Sequence, residues 1–421
     1  MENLFYYCQG ESHKSTGKPC QDFAYSETSD ALSMAIVCDG HGGERYFRSH
    51  HGSKIAKEVI IECVKSFVEK LPDSIQCQNS ENKNLFGGMP FTQYSQAEPT
   101  VLDGNKQARN IHDALKTLFS SIISQWNSRI TEHANNNPLD TWEEEHVEQK
   151  YREEFINNRM SEDGTFEKTY GCTLMVYVQT AEYWFAFHLG DGKFLRFQVR
   201  DGKAEFDQPI PWDEKCFLNK TTSICDSQAI DEFRYCYQGD GTFPQAVFLG
   251  SDGMDVSYGD GENLTNFYIE LYKIIAKSGK EKAQKELEKY LPIISLRGSK
   301  DDMSVVCIYN EKDVIQNAIS SIEYQIEQVS QRYDEIKSKV NTLKDEINAF
   351  EQKGTLNQSE QIDLRYKTKD LEKAEVQKTK LISKKGNLTK ELNKLKSQNN
   401  SDVSNNIDSN LGEITDNKQD K

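Results

Sequence analysis

Two patterns of apolar residues divide the chain at about residue 312. From Asp313 onward, apolar residues recur at alternating steps of four and three, which is the heptad repeat of a coiled coil. The first run consists of Ile315, Ile319, Ile322, Ile326, Val329, Tyr333, Ile336, Val340, Leu343, Ile347 and Phe350. After an interruption at Gly354, a weaker run consists of Leu364, Leu371, Ala374, Leu381, Leu388, Leu392 and Leu395. The pattern predicts two long helices joined by a short loop.

The charges of these two predicted helices are opposite. Residues 313–353 carry five basic and eight acidic side chains, whereas residues 360–397 carry eleven basic and six acidic ones. A short connecting loop and opposite charges both favour an antiparallel pair within one chain. The alternative is a parallel dimer with one arm from each subunit, but lysines within the second run make that arm a poor partner for itself. We therefore predict a coiled-coil hairpin over residues 313–397.

Residues 1–312 contain many short segments rich in Tyr, Phe, Val and Ile, which are typical of strands. The clearest segments are FAYS, LSMAIVC, TLMVYVQT, YWFAFHL, FLRFQV, FRYCY, AVFLG and MSVVCIY. Amphipathic helical stretches lie among them at residues 44–71, 109–131 and 263–290. Because the strands cluster and do not alternate strictly with helices, we predict an antiparallel α+β fold. Residues 72–108 lack a period and are predicted to form an irregular insertion.

Composition narrows the class of protein. The 421 residues carry a formal net charge of −16, which argues against a nucleic-acid-binding surface. The ten cysteines include no C-x-x-C pair, and the start MENLFYYCQG lacks the features of a secretory signal, so we expect reduced thiols and a cytoplasmic protein. We expect no membrane span, because no apolar run approaches the roughly 20 residues that a bilayer requires. The Asn-, Ser- and Asp-rich residues 398–421 are expected to be a disordered tail.

Acidic residues stand at the ends of predicted strands, often beside glycine. Such an acid taken alone is usually a turn former. Several at one end of a sandwich would repel one another unless cations lay among them. Carboxylate and carbonyl oxygens suit Mg²⁺ or Mn²⁺, and neither Cys nor His occurs in a zinc-like spacing. The acids in question are Asp39 in MAIVCDGHGGER, Asp191 in FAFHLGDGK, Asp252 in AVFLGSDGM, Asp22 in KPCQDFAYS, and Asp301 and Asp302 in LRGSKDDMSVV.

The order of these motifs resembles the metal-dependent protein phosphatases, the type 2C family of serine/threonine phosphatases, over about residues 8–310. The SHKSTGKPCQD opening and the NKTTSICD segment are similar to those of bacterial members. The resemblance implies a four-layer αββα sandwich of two antiparallel sheets flanked by helices, which makes residues 1–312 a phosphatase domain. The motifs are QD (21–22), DGHGG (39–43), GCT (171–173), GDGK (190–193), SDG (251–253) and DDMS (301–304).

The resemblance also implies two Mn²⁺ or Mg²⁺ ions at one end of the sandwich. Asp39 would bridge both ions, and the Gly40 carbonyl would bind one of them. Asp252 and Asp301 would complete the other site, and Asp22 would hold a metal-bound water. Two such ions lower the pKa of a shared water and clamp the phosphoryl oxygens, so that hydroxide attacks phosphorus in line without a covalent intermediate.

Two further roles follow from the same resemblance. Asp191 together with Asp252 would suit a third, weaker metal. His41 is placed two residues from the bridging acid to donate a proton to the departing serine or threonine oxygen. The alternative role of His41 is that of a surface residue capping the helix that follows.

The chain departs from the family pattern at two positions near its start. Gln21 stands where the family usually has Glu, which should weaken metal binding. The family's phosphate-gripping Arg, five residues before Asp22, falls at Gly17. Lys18 or His13 is a candidate phosphate contact in its place, although neither has the fork geometry of arginine.

Two hypotheses for function remain open at this point. The first is an active phosphatase in signalling, acting on phosphoserine or phosphothreonine proteins, whose coiled coil binds a protein partner. The second is a weakly active or inactive phosphatase fold that serves as a binding module, with the coiled coil as its functional part. Retention of Asp39, His41, Asp252 and Asp301 favours the first, while Gln21 and the missing arginine leave room for the second.

Overall fold

The computed structural model of the chain describes residues 1–74, 84–158, 166–217, 220–259 and 261–416. These residues belong to two compact units. One unit comprises residues 1–198 and 206–312, and the other comprises residues 199–205 and the residues from 313 onward.

The helices and strands follow one another along the described residues with these bounds. The strands are β1 Glu2–Cys8, β2 Asp22–Thr28, β3 Ser33–Asp39, β4 Thr92–Tyr94, β5 Leu174–Gln179, β6 Trp184–Leu189, β7 Lys193–Arg200, β8 Lys203–Asp207, β9 Arg234–Gln238, β10 Ala246–Gly250 and β11 Met303–Tyr309. The helices are α1 Glu11–Thr16, α2 Ser49–Ser74, α3 Lys106–Asn136, α4 Thr141–His146, α5 Gln149–Asn158, α6 Ala229–Glu232, α7 Asp252–Tyr258, α8 Gly261–Ser278, α9 Lys280–Arg297, α10 Val314–Lys353 and α11 Gln358–Asp416. Short 3₁₀ turns lie at Glu44–Tyr46, Pro99–Leu102 and Phe166–Tyr170.

The strands form two antiparallel sheets that are flanked by helices, which confirms the predicted α+β sandwich. A five-stranded sheet has the order β1-β11-β10-β7-β8, and a six-stranded sheet has the order β2-β3-β5-β6-β9-β4. The long helices α2 and α3 pack on the outer face of the six-stranded sheet. Aromatic residues of α8 cover the outer face of the other sheet, where Phe248 stacks on Tyr268 with 4.7 Å between ring centroids.

Strand β3 shows why the central strands read as continuous apolar runs. Met34, Ile36 and Cys38 belong to the core shared with α2 and α3. Ala35 and Val37 belong to the core between the two sheets. Successive side chains of a strand point to opposite faces, so a strand that is covered on both faces needs apolar residues at every position.

The unit from residue 313 onward is a helical hairpin, as the heptad pattern predicts. The beginning of α10 packs against the end of α11, for example Ile319 and Ile322 with Leu388 and Leu395. Farther along the hairpin, Val340 of α10 packs with residues of the first half of α11. Contact between the start of one helix and the end of the other means that they run antiparallel.

Oppositely charged side chains also join the two arms of the hairpin. Glu323 pairs with Lys396 at 2.7 Å, and Glu346 pairs with Lys367 at 2.6 Å. Exposed pairs of this kind contribute about 0.2–1 kcal/mol each, so the apolar seam supplies most of the stability and the charges favour this pairing over others.

The structure differs from the sequence-based expectations at three places. Residues 84–108 are not simply irregular, because they contain β4, which pairs with β9 at the sheet edge; residues 75–83 lie outside the described residues. Helix α2 begins at Ser49, after a 3₁₀ turn, and not at residue 44. The tail expected to be disordered from residue 398 continues as helix α11 through Asp416, and residues 417–421 lie outside the described residues.

Two findings concern the cysteines and the hydropathy of the helices. All nine cysteines in the described part of the chain carry free thiols, and eight of them are buried. None of the helices in the described ranges combines the length and the apolar character needed to cross a membrane.

Candidate active site

The ends of several strands meet at one edge of the two sheets, and their acidic residues line one cavity there. Antiparallel neighbours place the end of one strand beside the start of the next, so acids that follow or precede strands can share an edge. The cavity has a volume of about 760 Å³. Its acidic lining residues are Asp22, Asp39, Asp191, Asp226, Asp252, Asp301 and Asp302, and Gly40, His41 and Tyr46 also line it.

Asp22 and Asp39 lie directly opposite each other, at the start of β2 and the end of β3. Like charges in this cross-strand arrangement destabilise a sheet. Burial raises the pKa of Asp39 well above its ordinary value, and the neighbouring Asp22 and Asp252 carboxylates raise it further. Burial and the Asp302 carboxylate raise the pKa of Asp22 in the same way. These two acids therefore cannot both be ionised there without a compensating positive charge.

Asp252 and Asp191 extend the acidic cluster from other strand ends. Burial raises the pKa of Asp252 to about 6, and its carboxyl group is in hydrogen-bonding contact with Asp39. Burial also raises the pKa of Asp191, although a hydrogen bond with Thr221 opposes this effect. The structure therefore brings both of these predicted site residues to the cavity, in the carboxyl-rich environment that the sequence analysis expected.

The glycine after Asp39 leaves a backbone oxygen available at the cavity. The neighbouring backbone bonds run from Thr173 N–H to the Asp39 carbonyl (2.8 Å) and from His41 N–H to the Gly171 carbonyl (3.2 Å). They leave the Gly40 carbonyl without a hydrogen bond from the described residues. A side chain at Gly40 would clash, because a Cβ atom there would lie 2.8 Å from the Gln21 carbonyl oxygen. Only glycine lets the backbone pass so close.

The two adjacent acids before β11 have different surroundings. Asp301 is about half exposed, with 51% of its side chain accessible, and it lines the cavity. Asp302 is buried and accepts backbone N–H groups from Gly10 at 2.6 Å and from Gln21 at 2.5 Å. Burial acts to raise the pKa of Asp302, but these bonds and a contact with His13 lower it on balance. Asp302 is thus a structural carboxylate that joins three segments. The strand-end pattern alone does not separate its role from that of Asp301.

The residues predicted to contact phosphate do not line the acidic cavity, although His13 Nε2 lies 3.8 Å from the Asp301 carboxylate at its edge. His13 is 9% exposed and its Nδ1 lies 2.9 Å from Asp302. The Lys18 ammonium donates a hydrogen bond to the Gly42 carbonyl at 2.9 Å. Neither residue is among the side chains that line the acidic cavity, and Lys18 lines a small neighbouring one instead. The structure therefore gives both residues a role in holding the loops around the site.

His41 lines the cavity beside the acids and is held from both sides. Its backbone carbonyl accepts hydrogen bonds from the Gln21 amide at 3.1 Å and from the Ser49 hydroxyl at 2.9 Å. Its ring makes an edge contact with Tyr46, with 4.7 Å between centroids. Burial lowers the pKa of the imidazole to about 4. A Cβ atom on Gly171 would lie 2.9 Å from the ring, which explains the glycine of the GCT motif.

Gln21, where the family usually has Glu, has a structural role that a carboxylate could not fill. Its NH₂ group donates to both the Ser49 hydroxyl and the His41 carbonyl, and an ionised carboxylate has no hydrogen to donate. The amide therefore ties the start of β2 to the loop that carries His41. No pattern in the sequence indicated the contribution of Ser49.

Two oxygen atoms in this cluster are buried without a hydrogen-bond partner among the described residues. They are Asp22 Oδ2 and Gln21 Oε1. Buried acceptors of this kind normally have a partner, and a cation or its water would supply one. The donor set of carboxylate, amide and carbonyl oxygens fits a hard divalent cation such as Mg²⁺ or Mn²⁺. The residues present therefore fit the metal ions that the sequence analysis expected.

The chain was compared with solved structures and with curated proteins. Solved structures that match the chain include a bacterial serine phosphatase (15% identity, TM-score 0.39, covering 74% of this chain and 99% of that one). They also include PppA, a regulatory component of T6SS in Pseudomonas aeruginosa (14%, 0.38, 73% and 96%). A third is the Mycobacterium tuberculosis serine/threonine phosphatase PstP/Ppp (14%, 0.38, 74% and 99%). No curated protein matches this chain in sequence.

The family assignment rests on the sequence model of protein phosphatase 2C, which matches residues 9–292. That range covers more than half of the chain and contains every predicted site residue except Asp301. The fold, with two antiparallel sheets flanked by helices, agrees with the match. The chain therefore belongs to the protein phosphatase 2C family.

Proposed function

We propose that the chain is a metal-dependent protein serine/threonine phosphatase that hydrolyses phosphoserine and phosphothreonine esters. The observation that carries the proposal is the convergence of Asp22, Asp39, Asp191, Asp252 and Asp301 on one cavity, from separate strand ends. The cross-strand contact of Asp22 with Asp39 supports it further, because such a contact is stable only when the charge is compensated.

The proposed metal ligands are oxygens that line the acidic cavity. Asp39, the Gly40 carbonyl, Asp252 and Asp301 would hold two ions. Asp191, beside Asp252, would suit a third and weaker ion. Two Mn²⁺ or Mg²⁺ ions bound there would activate a water molecule and neutralise the charge on the phosphoryl oxygens.

The remaining residues of the chain position the reaction. Asp22 and Gln21 offer unpaired oxygens behind Asp39 that would accept hydrogen bonds from water in the cavity. The Asp302 carboxylate holds Gly10 and the Gln21 backbone and thereby fixes the start of β2. Preorganised groups of this kind avoid the free-energy cost of reorganising the site during each turnover.

His41 is proposed to donate the proton to the departing alkoxide of serine or threonine. Its position among the cavity-lining residues supports this role. Burial alone keeps the imidazole neutral near pH 7, since its pKa is lowered to about 4. A bound phosphate dianion beside the ring acts in the opposite direction, because a nearby negative charge favours the protonated form.

We expect the His41→Ala variant to separate substrates by their leaving groups. Turnover of a phosphothreonine peptide should fall by about 10²–10³-fold, because an alkoxide leaves poorly without a proton. Turnover of para-nitrophenyl phosphate should fall much less, since nitrophenolate leaves unaided. The measurement is kcat on both substrates at saturating Mn²⁺. An equal loss on both would assign His41 a structural role in the loop.

The proposed activity is tested by metal-dependent hydrolysis. Chelator-treated protein should not hydrolyse para-nitrophenyl phosphate or a phosphothreonine peptide, and added Mn²⁺ or Mg²⁺ should restore turnover of both. Hydrolysis is followed by nitrophenolate absorbance and by released inorganic phosphate. Absence of turnover with either metal would favour the second hypothesis, in which an inactive fold acts as a binding module through the hairpin.

The setting of the activity is also proposed. The α10–α11 hairpin is proposed to bind a protein partner, because its long arms offer exposed surface that includes Ile362, Tyr366 and Val376. The free thiols support a cytoplasmic location.

A further inference from the structure

The acidic cavity contains few positive charges to meet a phosphate. Seven carboxylate side chains line it. Lys215 and Lys220 are the only lysine or arginine residues among the described residues that line it. Metal ions would neutralise part of the acidic charge, but a phosphate dianion still needs donors at its remaining oxygens. At least one of these two lysines is therefore a candidate for that role.

The start of the chain does not provide such a donor. The position of the expected arginine is Gly17, which ends α1 with φ of 71° and has no side chain to offer. Lys18 is bonded to the Gly42 carbonyl, and His13 is in contact with Asp302. No lysine or histidine of residues 1–21 lines the acidic cavity, so the candidate cations come from a different segment.

The ammonium groups of Lys215 and Lys220 differ in their existing contacts. The Lys215 ammonium lies 2.6 and 2.7 Å from the two carboxylate oxygens of Glu232. The Glu232 carboxylate therefore already compensates the charge of Lys215. Lys220 is exposed and, within the described ranges, its ammonium makes neither an ion pair nor a hydrogen bond. Lys220 can therefore meet a phosphate without giving up an existing partner.

The backbone that carries Lys220 is anchored to the metal-binding edge. The backbone groups of Lys220 and Phe217 exchange hydrogen bonds of 3.1 and 3.2 Å. Two residues farther along, the Thr222 hydroxyl donates to Asp213 at 3.0 Å and accepts the Gly190 N–H at 3.0 Å. Gly190 directly precedes Asp191, so Thr222 is tied to a strand end of the acidic cluster.

A second anchor follows directly along the chain. The Ser223 hydroxyl donates to the Cys172 carbonyl, and the Ile224 N–H donates to the same oxygen, each at 3.1 Å. Cys172 faces Gly40 in an isolated bridge. The base of the Lys220 segment is thus held to both the Asp191 turn and the Gly40 loop, while the lysine side chain itself remains exposed.

We propose that Lys220 binds the phosphate of the substrate, in the role that the missing arginine leaves open. This inference rests on the proposed phosphatase function. It assigns phosphate recognition to the segment between β8 and α6 and not to the start of the chain. A flexible lysine binds phosphate as a point charge, without the two-pronged geometry of arginine.

The test is steady-state kinetics of the full-length protein with Mn²⁺. The Lys220→Met variant should raise KM for both para-nitrophenyl phosphate and a phosphothreonine peptide by about tenfold, since both carry the same phosphate. The value of kcat should change by less than about threefold, because the contact is made equally in the ground and transition states. Lys220→Arg should restore a KM at or below that of the wild type.

The matched control is Lys285→Met on α9, an exposed lysine that does not line the cavity, which should leave both constants unchanged. KM of the wild type should also rise with NaCl more steeply than KM of Lys220→Met, because screening weakens a charge–charge contact.

An unchanged KM in Lys220→Met, or a loss confined to kcat, would overturn the inference and leave the proposed function intact. A wild-type protein without metal-dependent turnover would remove the proposed function and this inference together.

Discussion

Replacing Asp39 with asparagine should abolish metal-dependent turnover, by about 10³-fold or more, and at the same time stabilise the metal-free protein. Asp39 is the proposed ligand of both ions, so its loss removes a charged oxygen from each site. In the metal-free protein, however, Asp39 lies opposite Asp22, and its pKa is raised by burial first and further by the neighbouring Asp22 and Asp252 carboxyl groups. Replacing this buried acid with a neutral amide relieves about 1 kcal/mol of desolvation and repulsion.

The two effects of Asp39→Asn are measured separately. Turnover is assayed with para-nitrophenyl phosphate and Mn²⁺, and the melting temperature is measured with chelator and with Mn²⁺. Wild-type protein should melt at a clearly higher temperature with Mn²⁺, because a ligand that binds only the folded state stabilises it. The variant should start higher in chelator and gain little from the metal. Asp103→Asn, in an exposed turn, is the control and should behave as wild type.

A decrease in metal-free stability for Asp39→Asn would contradict the repulsion argument. Retained turnover would contradict the assignment of Asp39 as a metal ligand. Turnover depends on metal binding, whereas the metal-free melting temperature depends on the carboxyl groups alone, so each result can occur without the other. The proposal that metal ions compensate the charge of the acids requires both expected results.

Replacing Arg48 with methionine should destabilise the phosphatase unit by about 3–5 kcal/mol, because the change leaves Glu143 buried without its counter-charge. Arg48 and Glu143 are 3% and 7% exposed, and two guanidinium N–H groups donate to the carboxylate at 2.6 and 2.7 Å. The guanidinium also donates to the carbonyls of Asn137 and Pro138 and to the Tyr170 hydroxyl. One side chain thus satisfies several buried acceptors at once.

Urea unfolding followed by tryptophan fluorescence measures this effect. All four tryptophans, at 126, 142, 184 and 212, lie in the phosphatase unit, so the signal reports on that unit alone. The double variant Arg48→Met with Glu143→Leu should recover part of the loss, since no unpaired charge then remains in the interior. If the single variant is as stable as the wild type, the Arg48–Glu143 pair makes no net contribution to the free energy of unfolding. If the double variant is no more stable than the single one, the loss arises from the contacts to Asn137, Pro138 and Tyr170.

Several features of the molecule follow directly from the sequence. The heptad spacing from Asp313 predicts the antiparallel hairpin, because a helix places residues three and four apart on one face whatever the rest of the chain does. Apolar runs such as MAIVC predict central strands, because successive side chains of a strand point to opposite faces and both faces of a central strand are buried. The strand-terminal acids Asp39, Asp191 and Asp252 could be selected as site residues because antiparallel pairing brings strand ends to a common edge.

Other features depend on contacts between residues far apart in the chain. Asp301 and Asp302 are neighbours with the same side chain, yet only Asp302 is buried and receives N–H groups from Gly10 and Gln21. Strand β4, inside a segment without apolar period, owes its existence to pairing with β9. Local pattern carries no information about either partner, so periodicity alone predicts neither the burial of Asp302 nor the pairing of β4.

The division between the two kinds of feature has one physical origin. Element type and the presence of acids at strand ends are set by periodicity and by side-chain chemistry, and both are readable along the chain. Burial and partners from distant segments decide the remaining features. They determine which acid remains exposed to bind a metal, which arginine is buried against Glu143 and which lysine lines the cavity. These roles are determined only when the two sheets have packed together, because burial and charge compensation are properties of the folded chain.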